Sequence, residues 1–326
     1  MKQNMKEQLL TKTPLSLMFQ LSIPAVIGML VIGLYPLMDG IFAGNIIGQS
    51  AMTACGVALP LTFFNSGTST LLGVGSASIL SRALGKGDKE TVDKIMGNLI
   101  YWVILFSIII TVGGIFLAPH FLDLVGAEGE IKELGVRYLR ILFLGSIFVN
   151  FTQSANMVMR GEGLMKRAMG IMALGAFINI ALDPIFMKAM GEYAIEGAAI
   201  ATVIAQVIQA LVTLYYFKNK SENVKIGRIC KQKEIYKEMF GVGVSAMVMQ
   251  VFFMIQQTLL YKQAFAYGGN TAGTLMAATL RIYAFSFIPL WGMSQGLQPV
   301  VGTNFGAKQY DRVRQAMKVF SIGGLV

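Results

Sequence analysis

Charged residues, histidine and cysteine are all scarce in this chain of 326 residues. Asp, Glu, Lys and Arg together make up 13% of it, whereas a soluble domain carries about 25% charged residues, and this argues against an ordinary soluble protein. The single histidine, His120, follows Pro119 at the predicted end of a helix, so proton chemistry must rest on carboxylates. The two cysteines, Cys55 and Cys230, occur in unlike settings without metal-ligand spacing, which argues against a disulfide framework and a thiolate metal site.

Long apolar runs are what the chain has instead. Apolar residues make up 55% of it, and its mean hydropathy is +0.61. Runs near the length of about twenty residues that a membrane crossing requires recur along the whole chain. They predict membrane-spanning helices at 15–44, 51–80, 95–118, 134–159, 168–187, 194–217, 238–261 and 272–300. The first run is long and lacks a small-residue cleavage site, so it is not interpreted as a signal peptide. The expected fold is an all-α polytopic membrane protein.

The positive charge is distributed unevenly among the connections between these helices. Segments 1–14, 81–95, 160–167, 218–237 and 305–318 hold 21 Lys and Arg residues, whereas the alternate connections hold 3. This asymmetry is typical of the positive-inside rule and places the N-terminus in the cytoplasm of a multi-pass cell-membrane protein. The net charge of +10 is therefore interpreted as a topology signal, and no nucleic-acid partner is expected.

Two acidic residues, Asp39 and Asp183, lie well inside apolar runs. A carboxylate at the centre of a membrane helix costs about 2.5–3.5 kcal/mol on insertion scales, so it is seldom kept for stability alone. The pair therefore predicts a proton- or ion-handling site. The structural alternative is a carboxylate that caps a broken helix or pairs with a buried arginine. Two carboxylates in a low-dielectric pocket cannot both ionise cheaply, so one is expected to hold a proton.

Polar and helix-bending residues accompany the two acids. Asn179 precedes Asp183 by one helical turn, and Thr202 lies in the sixth predicted helix. Asn150, Gln153 and Asn156 follow one another at helical spacing in the fourth helix, where they are expected to line a polar cavity; the alternative is interhelical hydrogen bonding without transport. Pro24 and Pro36 share the helix of Asp39 and are predicted to act as hinges, although ordinary kinks remain the alternative.

An internal repeat divides the chain. With a shift of 221 residues, Gly48, Thr53, Gly75 and Gly85 meet Gly269, Thr274, Gly296 and Gly306. The predicted division is an N-terminal six-helix lobe at 1–217, a cytoplasmic linker at 218–237 and a partial C-terminal lobe at 238–326 with spans 7 and 8 and the start of span 9. Six spans per copy give parallel repeats, an arrangement common in transporters. Because the second copy stops early, the chain is expected to be truncated at its C-terminus.

Several function classes fit these residues poorly. The sequence offers no intramembrane pair of nucleophile and base and no metal-ligand cluster, so no enzyme activity and no cofactor are expected. No segment resembles a selectivity filter, which argues against a passive channel. The intramembrane acids, the amides and the repeat favour a monomeric transporter in the lipid bilayer that carries a small amphipathic molecule.

The chain resembles the multidrug and toxic compound extrusion family, and in particular its proton-type bacterial members. The resemblance is carried by the order and spacing of the following stretches: Met38–Gly44 (MDGIFAG), Ser81–Gly87 (SRALGKG), Met159–Gly163 (MRGEG), Asn179–Phe186 (NIALDPIF) and Gly197–Thr202 (GAAIAT). It implies twelve spans in two six-helix lobes around a V-shaped cavity, with drug export driven by an ion gradient. It also implies that Asp39, Asn156, Asn179, Asp183 and Thr202 form the coupling network of the first lobe, with Pro24 as the bending point.

The seventh predicted helix departs from the pattern of the sodium-coupled members, which carry an acid there. This helix offers Gln250, Gln256 and Gln257 instead, and the last two are expected to line the substrate cavity. The departure favours proton coupling, while sodium at Asp39 and Asp183 stays open. A flippase for a lipid-linked or polysaccharide precursor is a further alternative, although such proteins line their cavity with several basic residues, and Arg281 is the one candidate here. Two other interpretations of Arg281 are that it pairs with an acid in the missing portion of the second lobe or that it snorkels to the interface.

Overall fold

The computed structural model describes residues 5–227, 229 and 233–325, and within these ranges it is helical with no β-strand. The first helices are α1 (Met5–Thr11), α2 (Pro14–Ile46), α3 (Gln49–Lys86) and α4 (Lys89–Val125). They are followed by α5 (Gly129–Leu144), α6 (Ser146–Gly161), α7 (Met165–Met190), α8 (Ala194–Asn219), α9 (Lys233–Gly306) and α10 (Tyr310–Leu325). The prediction of an all-α helical bundle is confirmed. Cys55 is buried and free, and Cys230 lies outside the described residues.

Two long helical stretches fold back on themselves at a glycine. In α9, Gly269 has φ 57° and ψ −153°, values that only glycine adopts readily. Tyr261 and Ala277, which lie eight residues on either side of it, meet at one place: a Cβ on Gly56 would be 3.0 Å from the Tyr261 hydroxyl and 2.5 Å from the Ala277 Cβ. Helix α9 is therefore a hairpin of two helices, as the sequence predicted. Helices α7 and α8 form a second hairpin around Gly191 (φ 53°).

The predicted fourth span is broken in the structure. A single helix was expected at 134–159, whereas α5 and α6 are separate helices bent by 60° at Gly145. The hydroxyl of Thr111 donates to the carbonyl of Phe143 at 2.9 Å, which satisfies one of the carbonyl groups freed by the bend. Gly145 also packs closely against α8, where a Cβ would be 2.9 Å from Val203 Cγ2. The expectation of a straight span missed the tertiary contact that stabilises the bend.

By length and composition, four helical stretches could cross a membrane, and the bent pair α5–α6 makes a fifth. Helix α3, at the predicted span 51–80, is not among them because many glycine, serine and threonine residues lower its hydropathy. It is instead packed inside the bundle, with most of these small residues buried. Small residues of this kind allow helix backbones to approach closely inside a membrane protein.

Residues related by the 221-residue shift touch each other along α3 and the second half of α9. The hydroxyls of Thr53 and Thr274 lie 2.6 Å apart. At the other end of the same helices, a Cβ on Gly85 would be 3.0 Å from the Gly306 Cα. In a two-fold arrangement, the elements on the axis contact their own equivalents. These contacts are the ones expected of a parallel repeat with its axis between the two helices, and the repeat itself stays a prediction. The boundaries at 217 and 237 remain a prediction.

The same contacts bear on the V-shaped cavity implied by the family resemblance. The stretch from Thr53 to Gly85 spans about 48 Å at 1.5 Å per residue, which is about the whole thickness of a bilayer. Close packing at both ends holds α3 and the second half of α9 together in this conformation. At the end that carries the basic loops, Arg82 of α3 also forms an ion pair with Glu238 of α9.

Candidate functional site

Asp39 lies in the interior of the bundle, on α2. Its side chain is 4% exposed. The Tyr138 hydroxyl of α5 donates to its Oδ2 atom at 2.9 Å. Its Oδ1 atom is also buried and has no hydrogen-bond partner among the residues that the structure describes. Asp39 is thus an intramembrane carboxylate with one hydrogen-bonded oxygen and one unpartnered oxygen.

Asp183 is buried on α7 and belongs to a second hydrogen-bonded group. The Asn179 amide donates to Asp183 Oδ1 at 2.8 Å and lies 3.1 Å from Thr202 Oγ1 on α8, to which it can also donate. The Thr202 hydroxyl in turn donates to the carbonyl of Ala198 at 3.1 Å. Asp183 Oδ2 and the side-chain oxygen of Asn179 are buried without a partner in the described part of the chain. The structure therefore brings together three of the predicted site residues: Asp183, Asn179 and Thr202.

Tyr35 links this group to the helix of Asp39. It lies one turn before Asp39 on α2, and its side chain interacts with that of Thr202. Asp39 and Asp183 also interact electrostatically, so both acids belong to one polar cluster. The sequence analysis missed Tyr35 and Tyr138. The spacing of four residues between Tyr35 and Asp39 could have indicated the first, whereas the second contact joins residues 99 apart and has no local signal.

Arg281 brings positive charge to the cluster from the second half of α9. Its guanidinium lies against Gly40, in the space that a Cβ on that glycine would occupy. Its Nη2 atom lies 3.5 Å from the carbonyl oxygen of Met52 on α3, and the guanidinium interacts electrostatically with Asp39. Arg281 and Asp39 do not form a direct ion pair within 4.0 Å. The acid that Arg281 approaches is thus Asp39 of the first lobe, which neither interpretation from the sequence had named.

The composition of the cluster limits what it can do chemically. On the two acids and Asn179, the unpartnered atoms Asp39 Oδ1, Asp183 Oδ2 and Asn179 Oδ1 are buried acceptors, whereas Arg281 Nε is a buried donor without a partner among the described residues. A buried polar atom without a partner costs free energy, and a bound proton, cation or water molecule would remove that cost. The described residues contain no group of three or more His, Cys, Asp or Glu side chains that could hold a metal ion.

The other predicted site residues lie elsewhere. Asn156 donates to the carbonyl of Ala168 at 2.6 Å, so it joins α6 to α7 and its amide nitrogen is not bonded to either acid. Asn150 is fully buried and is bonded to Ser69, Asn65 and Ser107 at 2.6–3.0 Å, which is the interhelical role that the sequence analysis kept as its alternative. A side chain enclosed in this way does not line a cavity.

The remaining predicted positions are compatible with their assignments. Gln153 and Gln257 are partly exposed and Gln256 is exposed, as residues that line a cavity must be. Pro24 and Pro36 lie inside α2, which continues as one helix from Pro14 to Ile46. Their role as hinges stays a prediction.

Comparison with known proteins gives consistent results. A family model described as MatE matches residues 24–185 and 245–326. The multidrug export protein MepA of Staphylococcus aureus is 28% identical over 310 residues, which cover 94% of this chain and 68% of MepA. The corresponding protein of Staphylococcus saprophyticus is 27% identical over 304 residues, which cover 93% of this chain and 67% of that protein.

Solved structures agree over nearly the whole chain. A MOP superfamily transporter from Pyrococcus furiosus, for which reverse polarity of the binding pocket suggests a different function, superposes with a TM-score of 0.88 at 30% identity and covers 98% of this chain and 70% of its own. The MATE multidrug transporter DinF-BH gives a TM-score of 0.87 at 32% identity and covers 95% of this chain and 71% of its own.

Proposed function

Because this chain belongs to the MatE family of multidrug and toxic compound extrusion transporters, we propose that it is a secondary antiporter that exports amphipathic, often cationic compounds in exchange for protons. The observation that carries the proposal is the cluster of two buried carboxylates, each with one unpartnered oxygen. A buried carboxylate oxygen without a partner, inside a membrane protein, is suited to bind and release a proton.

Charge balance supports an exchange of one positive charge at a time. With both carboxylates ionised, Asp39 and Asp183 carry two negative charges, and Arg281 offsets one of them. One proton, or one singly charged cation, then makes the cluster neutral. Since uncompensated charge is costly in the membrane interior, occupation by a proton and occupation by a cationic substrate should exclude one another.

The hydrogen bonds suggest how a proton would act on the helices. A proton on Asp39 Oδ1 or Asp183 Oδ2 adds the missing donor and allows a bond to one of the unpartnered acceptors. Such a bond would alter the interactions of Asp39 and Thr202 with Tyr35 and the hydrogen bond between Asn179 and Thr202, and so the packing of α2 against α7 and α8. Pro24 and Pro36 remove backbone hydrogen bonds from α2, which makes this helix easier to bend. The substrate would lie between the lobes, near Gln153, Gln256 and Gln257.

The test is dye efflux by cells that express the gene encoding this chain, measured from external pH 5.5 to 8.0 for the wild type and for Asp39→Asn and Asp183→Asn. The wild type should extrude dye faster at low external pH. In each variant the rate of uphill efflux should fall at least about tenfold, because the carboxyl group that binds the proton is gone. Asp123→Asn is the matched control: it makes the same chemical change at an exposed acid that pairs with Lys132, and it should extrude dye normally.

Two outcomes would contradict the proposal. Normal pH-dependent efflux by Asp39→Asn would remove this carboxylate from the coupling. Efflux that follows external sodium at constant pH, and stops when choline replaces sodium, would establish sodium as the coupling ion. A flippase would leave the dye in place and translocate a phosphate-bearing lipid precursor instead. Arg281, the one basic residue offered for that function, packs between Gly40 and Met52.

A further inference from the structure

The linker between the two lobes is fixed against the helical bundle at two points. Val224 is fully buried in the hydrophobic core, and its N–H group donates to the Ser221 hydroxyl at 3.3 Å. Three residues later, Gly227 packs so closely on α4 that a Cβ would collide with the carbonyl oxygen of Asp93. Between these points Lys225 points outward and is exposed. This part of the linker is therefore a strap along α4.

The strap and α4 enclose an apolar groove with a cavity of about 380 Å³. Its walls are Gly97, Ile100, Tyr101, Ile104, Leu105 and Ile108 of α4 and Ile226, Gly227 and Ile229 of the linker. From Gly97 to Ile108 the groove follows about 16 Å of helix, which is close to half of the 30 Å hydrocarbon core of a bilayer. The groove thus extends through about one leaflet, beginning at the surface that carries the basic loops.

The exposure and the charge of the residues around the groove indicate what it can bind. Ile108 and Ile229 are 56% and 54% exposed, so the groove opens sideways, toward hydrocarbon. The segment 218–237 contains seven Lys and Arg residues and two acids. Its described lysines are all exposed: Lys218, Lys220, Lys225, Lys233 and Lys237. Of the two acids, Glu222 interacts electrostatically with Arg167, and the positive residues of the segment outnumber its acids. Basic clusters directly beside a membrane helix attract anionic headgroups.

We propose that this groove binds an anionic phospholipid, with an acyl chain against α4 and the strap and the phosphate near the exposed lysines of the linker. An apolar groove of one-leaflet depth provides the acyl site, and the surplus of positive charge provides the preference for an anionic headgroup. Bound in this way, the lipid would hold the connection between the lobes at the membrane surface. The inference is independent of the coupling chemistry at Asp39.

The experiment measures lipid retained by the purified chain in detergent, using native mass spectrometry with phosphatidylglycerol or phosphatidylcholine of identical acyl chains. Phosphatidylglycerol should be retained at least about fivefold more strongly. The double variant Lys220→Gln with Lys225→Gln should lower this retention about fivefold, to the level of phosphatidylcholine, and leave phosphatidylcholine unaffected. Ile104→Trp, which fills the groove, should reduce the binding of both lipids.

Matched controls separate this site from general lipid contact. Ile109→Trp alters an exposed α4 residue outside the groove, and Lys308→Gln with Lys318→Gln removes two exposed lysines elsewhere. Both controls should retain phosphatidylglycerol like the wild type. Equal retention of the two lipids by the wild type would overturn the proposal, and so would losses in the controls that match those in the groove and linker variants. Circular dichroism of every variant verifies that its helices are intact.

Discussion

At the scale of single residues, Glu162 is an ionisable side chain held in the interior at the turn between α6 and α7, and it is 2% exposed. Burial raises the pKa of Glu162 to about 8, while Arg167 opposes the shift and Glu222 adds to it. The folded protein therefore binds this proton more tightly than the unfolded chain, whose glutamate titrates near about 4.3. The contribution of Glu162 to stability is complete below that value and is lost as the pH rises to about 8.

We accordingly expect the free energy of unfolding to fall between pH 5 and 8, with a slope of up to about 1.4 kcal/mol per pH unit from this group. Thermal unfolding of the purified chain in detergent at several pH values measures the slope. Glu162→Gln cannot ionise and should reduce the slope and raise the melting temperature at pH 8. Glu234→Gln changes an exposed acid in another of the basic connections, and it should leave both the slope and the melting temperature unchanged. An identical slope in wild type and Glu162→Gln would disprove the assignment.

Sequence patterns identified some site residues because their signals are local. An acid in an apolar run stands out by composition, and a spacing of four residues predicted the contact between Asn179 and Asp183. Asn150 has the same signal as a cavity residue, yet its partners lie on α3 and α4, 43 to 85 positions away in the chain. Whether a buried amide lines water or joins helices is determined by tertiary packing, which residue types alone do not specify.

At the scale of elements, helix existence followed from hydropathy, whereas helix breaks and contacts did not. The apolar runs located all the spans approximately, because the bilayer sets their length. The bend between α5 and α6 depends on Thr111 and on the approach of Gly145 to α8, and both are long-range contacts. Helix α3 shows the opposite case, since its small residues weaken the hydropathy signal and are the reason that it can lie at the centre of the bundle.

The contact between α2 and α9 gives an element-scale prediction. In an exposed helix interior, replacing glycine by alanine stabilises by up to about 1 kcal/mol. At Gly40 the added methyl group would displace the guanidinium of Arg281, a flexible side-chain end, and not backbone. We therefore expect Gly40→Ala to change the melting temperature little and to lower dye efflux severalfold, because Arg281 moves away from Asp39.

A comparison with two other variants tests this interpretation. Gly113→Ala of α4, where a Cβ meets no atom within 4 Å, should keep normal efflux. If Arg281 is the cause, Gly40→Ala should have no further effect on efflux in an Arg281→Ala background, since coupled sites are not additive. Wild-type efflux by Gly40→Ala, or full additivity of the two changes, would show that the position of Arg281 is unimportant for transport.

At the scale of the whole molecule, the repeat was detectable in the sequence through glycine and threonine positions, and its geometry gives those positions a physical meaning. Residues near a two-fold axis face their own equivalents, so they must be small or able to bond to themselves. Gly85 meets Gly306, and Thr53 meets Thr274 through their hydroxyls. A shift of 221 residues therefore identified the axis as well as the repeat. The closed packing along that axis was not predictable, since the same sequence must also allow other conformations.

Alternating access requires the two lobes to separate at one end and then at the other. The contact between Thr53 and Thr274 lies at the end of α3 opposite the basic loops, so it should break when the site opens on that side. We expect Thr53→Cys with Thr274→Cys, in a chain whose native Cys55 and Cys230 are replaced by alanine, to crosslink under mild oxidation and to lose dye efflux. Reduction should restore it, and each single cysteine variant should be insensitive to oxidation. Undiminished efflux by fully crosslinked protein would mean that these two helices stay together throughout transport, and opening would then have to occur between other helices of the two lobes.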